Sequence, residues 1–314
     1  MKRGVLAIAL SLSCWAQTPA KPKSWIAPRT PDGHPDLQGI WSNATVTPLE
    51  RPAELAGKAV LTDHEAAEFA TSAVNRNNVD KRPPAGSEAD VALAYNDFWY
   101  DRGTKAIKTR RTSLIIDPPD GRVPAMTPAA QKRLAARAEQ RRLHPADGPE
   151  DRGLSERCLN WPTAGPPMIP SFYNNNYQII QTPDAVVIFN EMIHDVRIVP
   201  MDGRPHISSG IRQWLGDSRG HWEGDTLVID TTNFTDKTAF RGSGENMHLA
   251  ERFTRIDADT LLYEFTVNDP ETFTKPWTAQ IPSVRSDGAI YEYACHEGNY
   301  AMTGMLSSAR AEEK

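Results

Sequence analysis

The chain has 314 residues, of which 39% are hydrophobic and 24% charged, and its formal net charge at pH 7 is −5. This balance is typical of a globular protein with one large domain or two small ones, and it argues against a protein dedicated to nucleic-acid binding. Most of the 25 prolines fall in the first 170 residues, so we expect that part of the chain to be rich in loops.

The N-terminus has the three parts of a bacterial secretory signal. Two basic residues follow Met1, residues 4–12 are almost wholly apolar, and Ala16 offers a small side chain at the cleavage position. The apolar run is shorter than the roughly 20 residues that a membrane-spanning helix needs. The sequence therefore predicts that residues 1–16 are a signal peptide and that the protein is periplasmic or extracellular. A buried N-terminal helix is the alternative.

Cys14 raises a second interpretation of the same segment. The sequence before it loosely resembles the cleavage box of a lipoprotein, but that box has Leu three residues before the cysteine, where Ser11 stands here. A lipid anchor through Cys14 is therefore the less favoured alternative. No later stretch is long and apolar enough for a membrane span, so we expect none.

Capping signals predict two helices in the N-terminal part of the chain. A capping box at residues 62–65 opens the first, which runs to about Val74, and Thr127 followed by Pro128 opens the second, which runs to about Leu143. We expect residues 17–170 to form a loop-rich region whose two helices pack on the core.

The second helix carries a row of basic residues, namely Lys132, Arg133, Arg137, Arg141 and Arg142. One interpretation is a site for an anionic ligand or an anionic surface. The other is a solvated helix face whose late arginines complement the helix dipole. The apolar face of this helix is mostly alanine, which favours the solvated face.

After residue 170 the sequence changes to short β-rich runs separated by turn signals. These runs cover residues 177–181, 185–190, 192–199, 226–232, 248–256, 261–267, 277–284 and 289–296. Hairpin spacing without intervening helices predicts an antiparallel sheet, which must close or fold over to protect its edges. We therefore predict a mainly β protein whose core, residues 171–314, is an antiparallel β-barrel-like, lipocalin-like structure.

Two cysteines, Cys158 and Cys295, remain after the predicted cleavage. In an oxidising compartment they are candidates for a disulfide that ties the middle of the chain to its last strand. Two free buried thiols are the alternative, and the sequence does not separate the two. A cysteine nucleophile is less favoured, because Cys295 and His296 are neighbours that point to opposite faces of a strand.

Several longer motifs together carry a family resemblance. They are PDL at 35–37 with Gly39 and Trp41, RTSLI at 111–115 with DPPDG at 117–121, NNNY at 174–177, NEMIHD at 190–195, GDSRG at 216–220 with WEGDT at 222–226, and YEYACHEGNY at 291–300. With these motifs the chain resembles a family of exported, largely uncharacterised bacterial proteins. The resemblance implies secretion and carries no reaction and no catalytic residue. The spacing of the predicted strands is also similar to that of lipocalin-like barrels, which is a similarity of fold alone.

The densest polar block in strand-like sequence covers residues 190–197. Strand alternation places positions 191, 193, 195 and 197 on one face, and positions 190, 192 and 194 on the other. If His194 faces a cavity, it is a candidate general base, with Asp195 beside it and Asn190 and Arg197 as ligand-binding groups. A histidine at the rim with a surface pair of Asp195 and Arg197 is the alternative. Glu191 and His194 diverge in a strand, so we predict no metal site.

The motif at residues 291–300, here called the closing block, holds a second group of candidates. His296 and Glu297 form a candidate acid–base pair at the end of the predicted last strand, and Tyr300 is a candidate hydroxyl donor to a ligand. A hydrogen-bonded strand end with a turn at Gly298 explains the same residues without a function. The sequence leaves both interpretations open.

Two further groups have a structural and a functional interpretation. Trp214 is a candidate ligand-binding residue before a tight polar turn in which Asp217 and Arg219 are expected to pair. Glu251 and Glu264 lie in facing strands of one predicted hairpin, where two carboxylates sharing a site would have separated pKa values. Pairing of these two with nearby arginines on the surface is the favoured alternative.

The candidate site residues are therefore catalytic His194, Asp195, His296 and Glu297, and ligand-binding Arg197, Tyr300, Trp214 and Asn190. Signatures of serine hydrolases, phosphate-binding loops, zinc proteases and Cys-x-x-Cys redox sites are missing, so no cofactor is predicted. The sequence predicts an exported protein that binds a small organic ligand, with acid–base catalysis of lyase, isomerase or hydrolase type as one form of that function. The alternatives are a non-catalytic ligand-binding or envelope-assembly protein and a carbohydrate-active enzyme.

Overall fold

The computed structural model describes residues 25–91, 96–237 and 240–312. The predicted signal peptide and Cys14 lie outside these residues. The helices are α1 (Asp63–Asn77), α2 (Glu88–Val91), α3 (Pro128–Leu143) and α4 (Tyr300–Glu312). The strands are β1 (Gly39–Ser42), β2 (Ile115–Asp117), β3 (Asn176–Gln181), β4 (Ala185–Asn190), β5 (Val196–Pro200), β6 (Asp217–Glu223), β7 (Thr226–Thr232), β8 (His248–Arg255), β9 (Thr260–Asn268) and β10 (Trp277–Arg285).

The two helices predicted from capping signals are confirmed, and each begins at the predicted threonine. The Thr62 side chain accepts a hydrogen bond from the Glu65 backbone N–H at 3.2 Å, and the Glu65 carboxylate accepts one from the Thr62 N–H at 2.9 Å. The Thr127 side chain accepts from the Ala130 N–H at 3.1 Å. These caps satisfy backbone donors that the first turn of a helix leaves free. Across the described ranges, none of the helices combines the length and apolarity that crossing a bilayer requires.

The strands form one antiparallel sheet that curls into a nearly closed barrel, which confirms the predicted mainly β, barrel-like class. Nine strands follow the order β5-β4-β3-β1-β10-β9-β8-β7-β6, and the short β2 pairs with β10 beside this path. β1, from the loop-rich N-terminal region, lies between β3 and β10. The barrel is therefore completed by a strand from outside the predicted core.

An open seam separates β5 and β6, the two end strands of the sheet. Each of the eight pairings along the path is antiparallel, so the end strands β5 and β6 run in the same direction. Their Cα atoms come within 8 Å, but no ladder joins them. Parallel neighbours need a connection that crosses from one end of the barrel to the other. Residues 201–216, here called the crossover loop, make this connection beside the open seam.

Large side chains fill the interior of the barrel. Trp41, Tyr177, Tyr263, Phe265 and Trp277 are all fully buried there. On β9 the alternate positions from residue 261 to residue 267 are buried, as expected for a strand with one face toward the core. The predicted barrel core is therefore a packed interior, and a ligand site has to be sought at its edges.

One predicted strand, at residues 289–296, is wrong. β10 ends at Arg285, residues 286–299 are irregular, and α4 begins at Tyr300. The sequence there alternates like a strand, but β10 is already paired with β9 on one side and with β1 and β2 on the other. No free edge of β10 remains for a further strand.

Of the two alternatives for Cys158 and Cys295, the structure has the disulfide, with the two Cα atoms 5.7 Å apart. It joins the middle of the chain to the irregular segment before α4, and not to the last strand as the sequence predicted. Asn299 supports the junction, because its side-chain amide donates to the Glu156 carbonyl at 2.7 Å. Arg310 of α4 then donates to the Ala146 carbonyl at 2.9 Å.

Gly216, at the end of the crossover loop, provides a test of the seam geometry. Its φ is +70°, and a Cβ there would lie 2.6 Å from the Thr232 carbonyl oxygen and 2.7 Å from Thr231 Cγ2. We expect Gly216→Ala to lower the free energy of unfolding by about 2–4 kcal/mol in urea titrations, through left-handed strain and overpacking. Gly224→Ala is the control. Its φ is +59° with no atom within 4 Å, so we expect a loss of about 1 kcal/mol. Equal losses would contradict the close approach at Gly216.

Candidate functional site

The polar block at residues 190–197 is a tight turn and not the continuous strand that the sequence predicted. β4 ends at Asn190, whose N–H donates to the Asp195 carbonyl at 2.8 Å, and β5 begins at Val196. Ile193 and His194 have φ values of 61° and 62°. The predicted alternation of faces is therefore wrong across the turn. His194 is exposed, whereas Asn190 and Arg197 are buried.

A groove of about 730 Å³ follows the open seam of the barrel. Its walls are β5, the first residues of β6 and the crossover loop. Asp195, Arg197 and Trp214, three of the eight candidate site residues, line it. Asp217 and Arg219 lie in the same wall, with Arg219 Nη1 donating to Asp217 Oδ1 at 2.7 Å. The two residues pair as predicted, but they begin β6 and do not form the predicted tight turn. The seam brings these residues together because β5 and β6 are neighbours in space without being paired.

Asp195 is the groove residue with the most unusual chemistry. Burial raises the pKa of its carboxyl to about 6. Its Oδ2 atom is shielded from solvent and has no hydrogen-bond partner among the described residues. A buried carboxyl oxygen without a donor favours the protonated form, so this group exchanges a proton close to neutral pH.

Four arginines and two carboxylates line the groove. The arginines that line it are Arg197, Arg204, Arg212 and Arg219, and the two carboxylates are Asp195 and Asp217. Three of these arginines each form an ion pair with a carboxylate. Arg212 instead donates to the Glu245 main-chain carbonyl at 2.7 Å, and its guanidinium stands 3.9 Å from the Glu245 carboxylate. Its ion pair is the longest of the four, which makes Arg212 a candidate for binding an anion.

Sequence reasoning missed the residues that hold the crossover loop in place. His206 Nδ1 lies 2.8 Å from Asp217 Oδ2, and His206 Nε2 lies 2.9 Å from Asp230 Oδ1. Asp230 also accepts a hydrogen bond from His248, and this bond raises the pKa of His248. Asn233 donates to the Ser208 carbonyl at 2.9 Å. These residues are far apart in sequence and share no motif, so no sequence signal could have grouped them.

The other five candidate residues do not line the seam groove. Tyr293 N–H, in the closing block, contacts His194 Nδ1 at 3.4 Å, so that block does approach the 190–195 turn. His296, Glu297 and Tyr300, however, are exposed to solvent. Asn190 lines a cleft of only about 10 Å³ among other asparagines.

Glu251 and Glu264 do not share a site, and the favoured alternative, pairing with arginines on the surface, is wrong for Glu251. Glu264 stands opposite Arg252 across the β8–β9 ladder, so it shares a face with Arg252 and not with Glu251. Glu251 points inward, where it pairs with Arg197 and accepts a hydrogen bond from the Tyr263 hydroxyl at 2.8 Å. A displacement of one residue in register moves a side chain to the other face of a sheet.

Comparison with protein-family models, with curated proteins and with solved structures gives no match for this chain.

Proposed function

We propose that the protein binds a small organic anion in the seam groove and moves a proton to or from it through Asp195. The observation that carries this proposal is the Asp195 carboxyl group, which has a pKa near 6 and an unpartnered, shielded oxygen on a groove of about 730 Å³. Perturbed carboxyl groups in clefts are typical of acid–base sites. Asp195 was among the residues that the sequence alone selected for this role.

The arginines of the groove support an anionic ligand. A carboxylate on the ligand would replace the distant Glu245 carboxylate as the partner of Arg212, in the bidentate geometry that guanidinium groups favour. Trp214 adds an apolar wall and is 37% exposed. An exposed indole beside a charged groove suits a ligand with a short carbon skeleton between polar ends.

The chemistry that fits these groups is proton transfer at carbon next to a carbonyl or carboxylate. The ionised Asp195 takes the proton from the carbon, the electron pair moves onto the ligand carbonyl oxygen, and the protonated carboxyl returns the proton in the reverse step. Because the pKa is near 6, both protonation states are present close to neutral pH, as general acid–base catalysis requires. This corresponds to the isomerase or lyase form of the predicted function.

Export is part of the same proposal. A disulfide between Cys158 and Cys295 fits an oxidising compartment, because thiols in the bacterial cytosol are kept reduced. The signal-like N-terminus and the resemblance to exported bacterial proteins support the periplasm or the cell exterior as its location.

The test is deuterium exchange in heavy water, with 2-oxo acids of about three to six carbons as probes. Proton NMR should show loss of the C3–H signals with the wild-type protein. We expect Asp195→Asn to slow this exchange by about 10²–10⁴-fold, and Arg212→Gln to raise KM about tenfold with less effect on kcat.

Asp184→Asn is the matched control, because Asp184 is exposed at the β3–β4 turn, and we expect wild-type exchange from it. If the probes bind saturably but do not exchange, the non-catalytic ligand-binding alternative is favoured. If the probes neither bind nor exchange, the proposal is overturned.

The stability of the protein should also report on Asp195. Burial raises its pKa from the ordinary value of 3.8 to about 6 on folding. Between these values the folded state holds more protons than the unfolded state, so this group's contribution to stability falls as the pH rises through that window. Asparagine cannot ionise. We therefore expect Asp195→Asn to be more stable than the wild type at about pH 7.5 and not at about pH 4. Urea titrations at the two pH values measure this, and a pH-independent difference would contradict it.

A further inference from the structure

A second cavity, of about 240 Å³, lies next to the seam groove and has aromatic walls. The aromatic residues that line it are Trp161, Trp214, Phe234 and Phe240. Trp214 lines both the cavity and the groove, whereas Asp195 lines the groove alone. The cavity is smaller than the roughly 300 Å³ at which pockets begin to suit drug-sized ligands, so it fits a molecule of one or two rings.

Two cations lie at this aromatic cavity. Arg141, from the last turn of α3, and Lys237, from the segment after β7, both line it. They also line an adjoining cleft of about 420 Å³. In residues 25–91, 96–237 and 240–312, neither side chain forms an ion pair with a carboxylate. The nearest acidic residue in sequence to Lys237 is Asp236, which pairs with Arg137 at 3.6 Å.

The neighbouring arginine shows what an ordinary surface position on this helix looks like. Arg142 is exposed and forms two hydrogen bonds with Glu139, at 2.7 and 2.8 Å, one turn back on the same helix. Arg141 is also exposed, but among the described residues it has no carboxylate partner, and it lines the cavity. The basic row on α3 is therefore divided, because Arg141 lines the cavity whereas Arg142 is paired with Glu139.

We infer that this cavity is a binding site for a planar aromatic carboxylate. The ring stacks against the indoles of Trp161 and Trp214, and the carboxylate pairs with Arg141 and Lys237 at the mouth. An aromatic ring contributes through buried apolar area and stacking, and an acid group through charge-assisted hydrogen bonds to cations that have no other carboxylate. This site is separate from the proton-transfer chemistry proposed for Asp195 and does not depend on it.

The experiment uses 2-naphthoate as the probe and the uncharged 2-naphthamide as its matched control, with binding followed by calorimetry on the full chain. We expect saturable 2-naphthoate binding with a dissociation constant below about 1 mM. Arg141→Gln and Lys237→Gln should each weaken 2-naphthoate about tenfold and leave 2-naphthamide unchanged. Trp161→Leu should weaken both probes about tenfold, with an unchanged melting temperature as the check on folding.

Two variants separate this site from its surroundings. Arg142→Gln should bind both probes like the wild type, because Arg142 is paired with Glu139 outside the cavity. Asp195→Asn should also bind 2-naphthoate normally, even if it abolishes the exchange reaction, so the two proposals can fail independently. Equal loss in Arg141→Gln and Arg142→Gln would show a general cationic surface and overturn the inference. So would the absence of saturable 2-naphthoate binding.

Discussion

Glu251→Ala is expected to lower the free energy of unfolding by about 3–5 kcal/mol. The substitution leaves the Arg197 guanidinium buried without its carboxylate and removes the acceptor of the Tyr263 hydroxyl. An unpaired charge inside a packed barrel costs far more than a surface ion pair is worth, because water cannot reach it. Urea titrations at neutral pH, followed by tryptophan fluorescence, measure the loss.

Two controls identify the cause. The first control is Glu264→Ala. Glu264 lies on the outer face of the same hairpin, where it accepts a hydrogen bond from Gln280 at 3.2 Å. Its replacement should therefore lower the free energy of unfolding by less than about 1 kcal/mol. The double variant Arg197→Met with Glu251→Met removes both charges and should recover most of the lost stability. A loss below about 1 kcal/mol for Glu251→Ala would show that water hydrates this ion pair.

Removal of the disulfide should produce the second large effect. The bond closes a loop across a sequence separation of 137 residues, and constraint of the unfolded chain over such a length corresponds to about 4–5 kcal/mol. We expect the double variant Cys158→Ala with Cys295→Ala to lose this amount in urea titrations without reductant.

Reduction of the wild type with dithiothreitol should give the same loss, and dithiothreitol should not affect the variant. Contacts of α4 with residues 146–156 would remain, so the variant is expected to stay folded in water. A loss of less than about 1 kcal/mol would mean that these contacts hold the C-terminal segment in place equally well with and without the disulfide.

The features that the sequence predicted well are local ones. Each capped helix begins at the threonine that the sequence marks, because the cap involves only residues three positions apart. The β7–β10 strands also follow their predicted ranges closely, since alternation and turn residues act within one hairpin. The barrel class follows from several such hairpins in succession.

The errors have a different physical origin. Residues 289–296 alternate like a strand, but whether they pair depends on a free edge elsewhere in the sheet, and β10 has none. Glu251 and Glu264 stand one residue out of register in the β8–β9 ladder, which puts them on opposite faces, and only the barrel shows that the face of Glu251 is the inner one. At residues 190–197 the chain turns where strand alternation was assumed to continue, so His194 is exposed and Asp195 reaches the groove.

The sequence by itself determined the helix caps and the spacing of the hairpins, and it supplied Cys158 and Cys295 as candidates for a disulfide and Asp195 as a candidate acid–base residue. Those features depend on residue type and short spacing. Only the tertiary structure decided which candidates meet, because the groove exists where β5 and β6, the parallel end strands of the sheet, are neighbours without a ladder between them. The raised pKa of Asp195 comes from burial, and the long ion pair of Arg212 with Glu245 comes from distances that only the folded chain sets. No local pattern encodes either one.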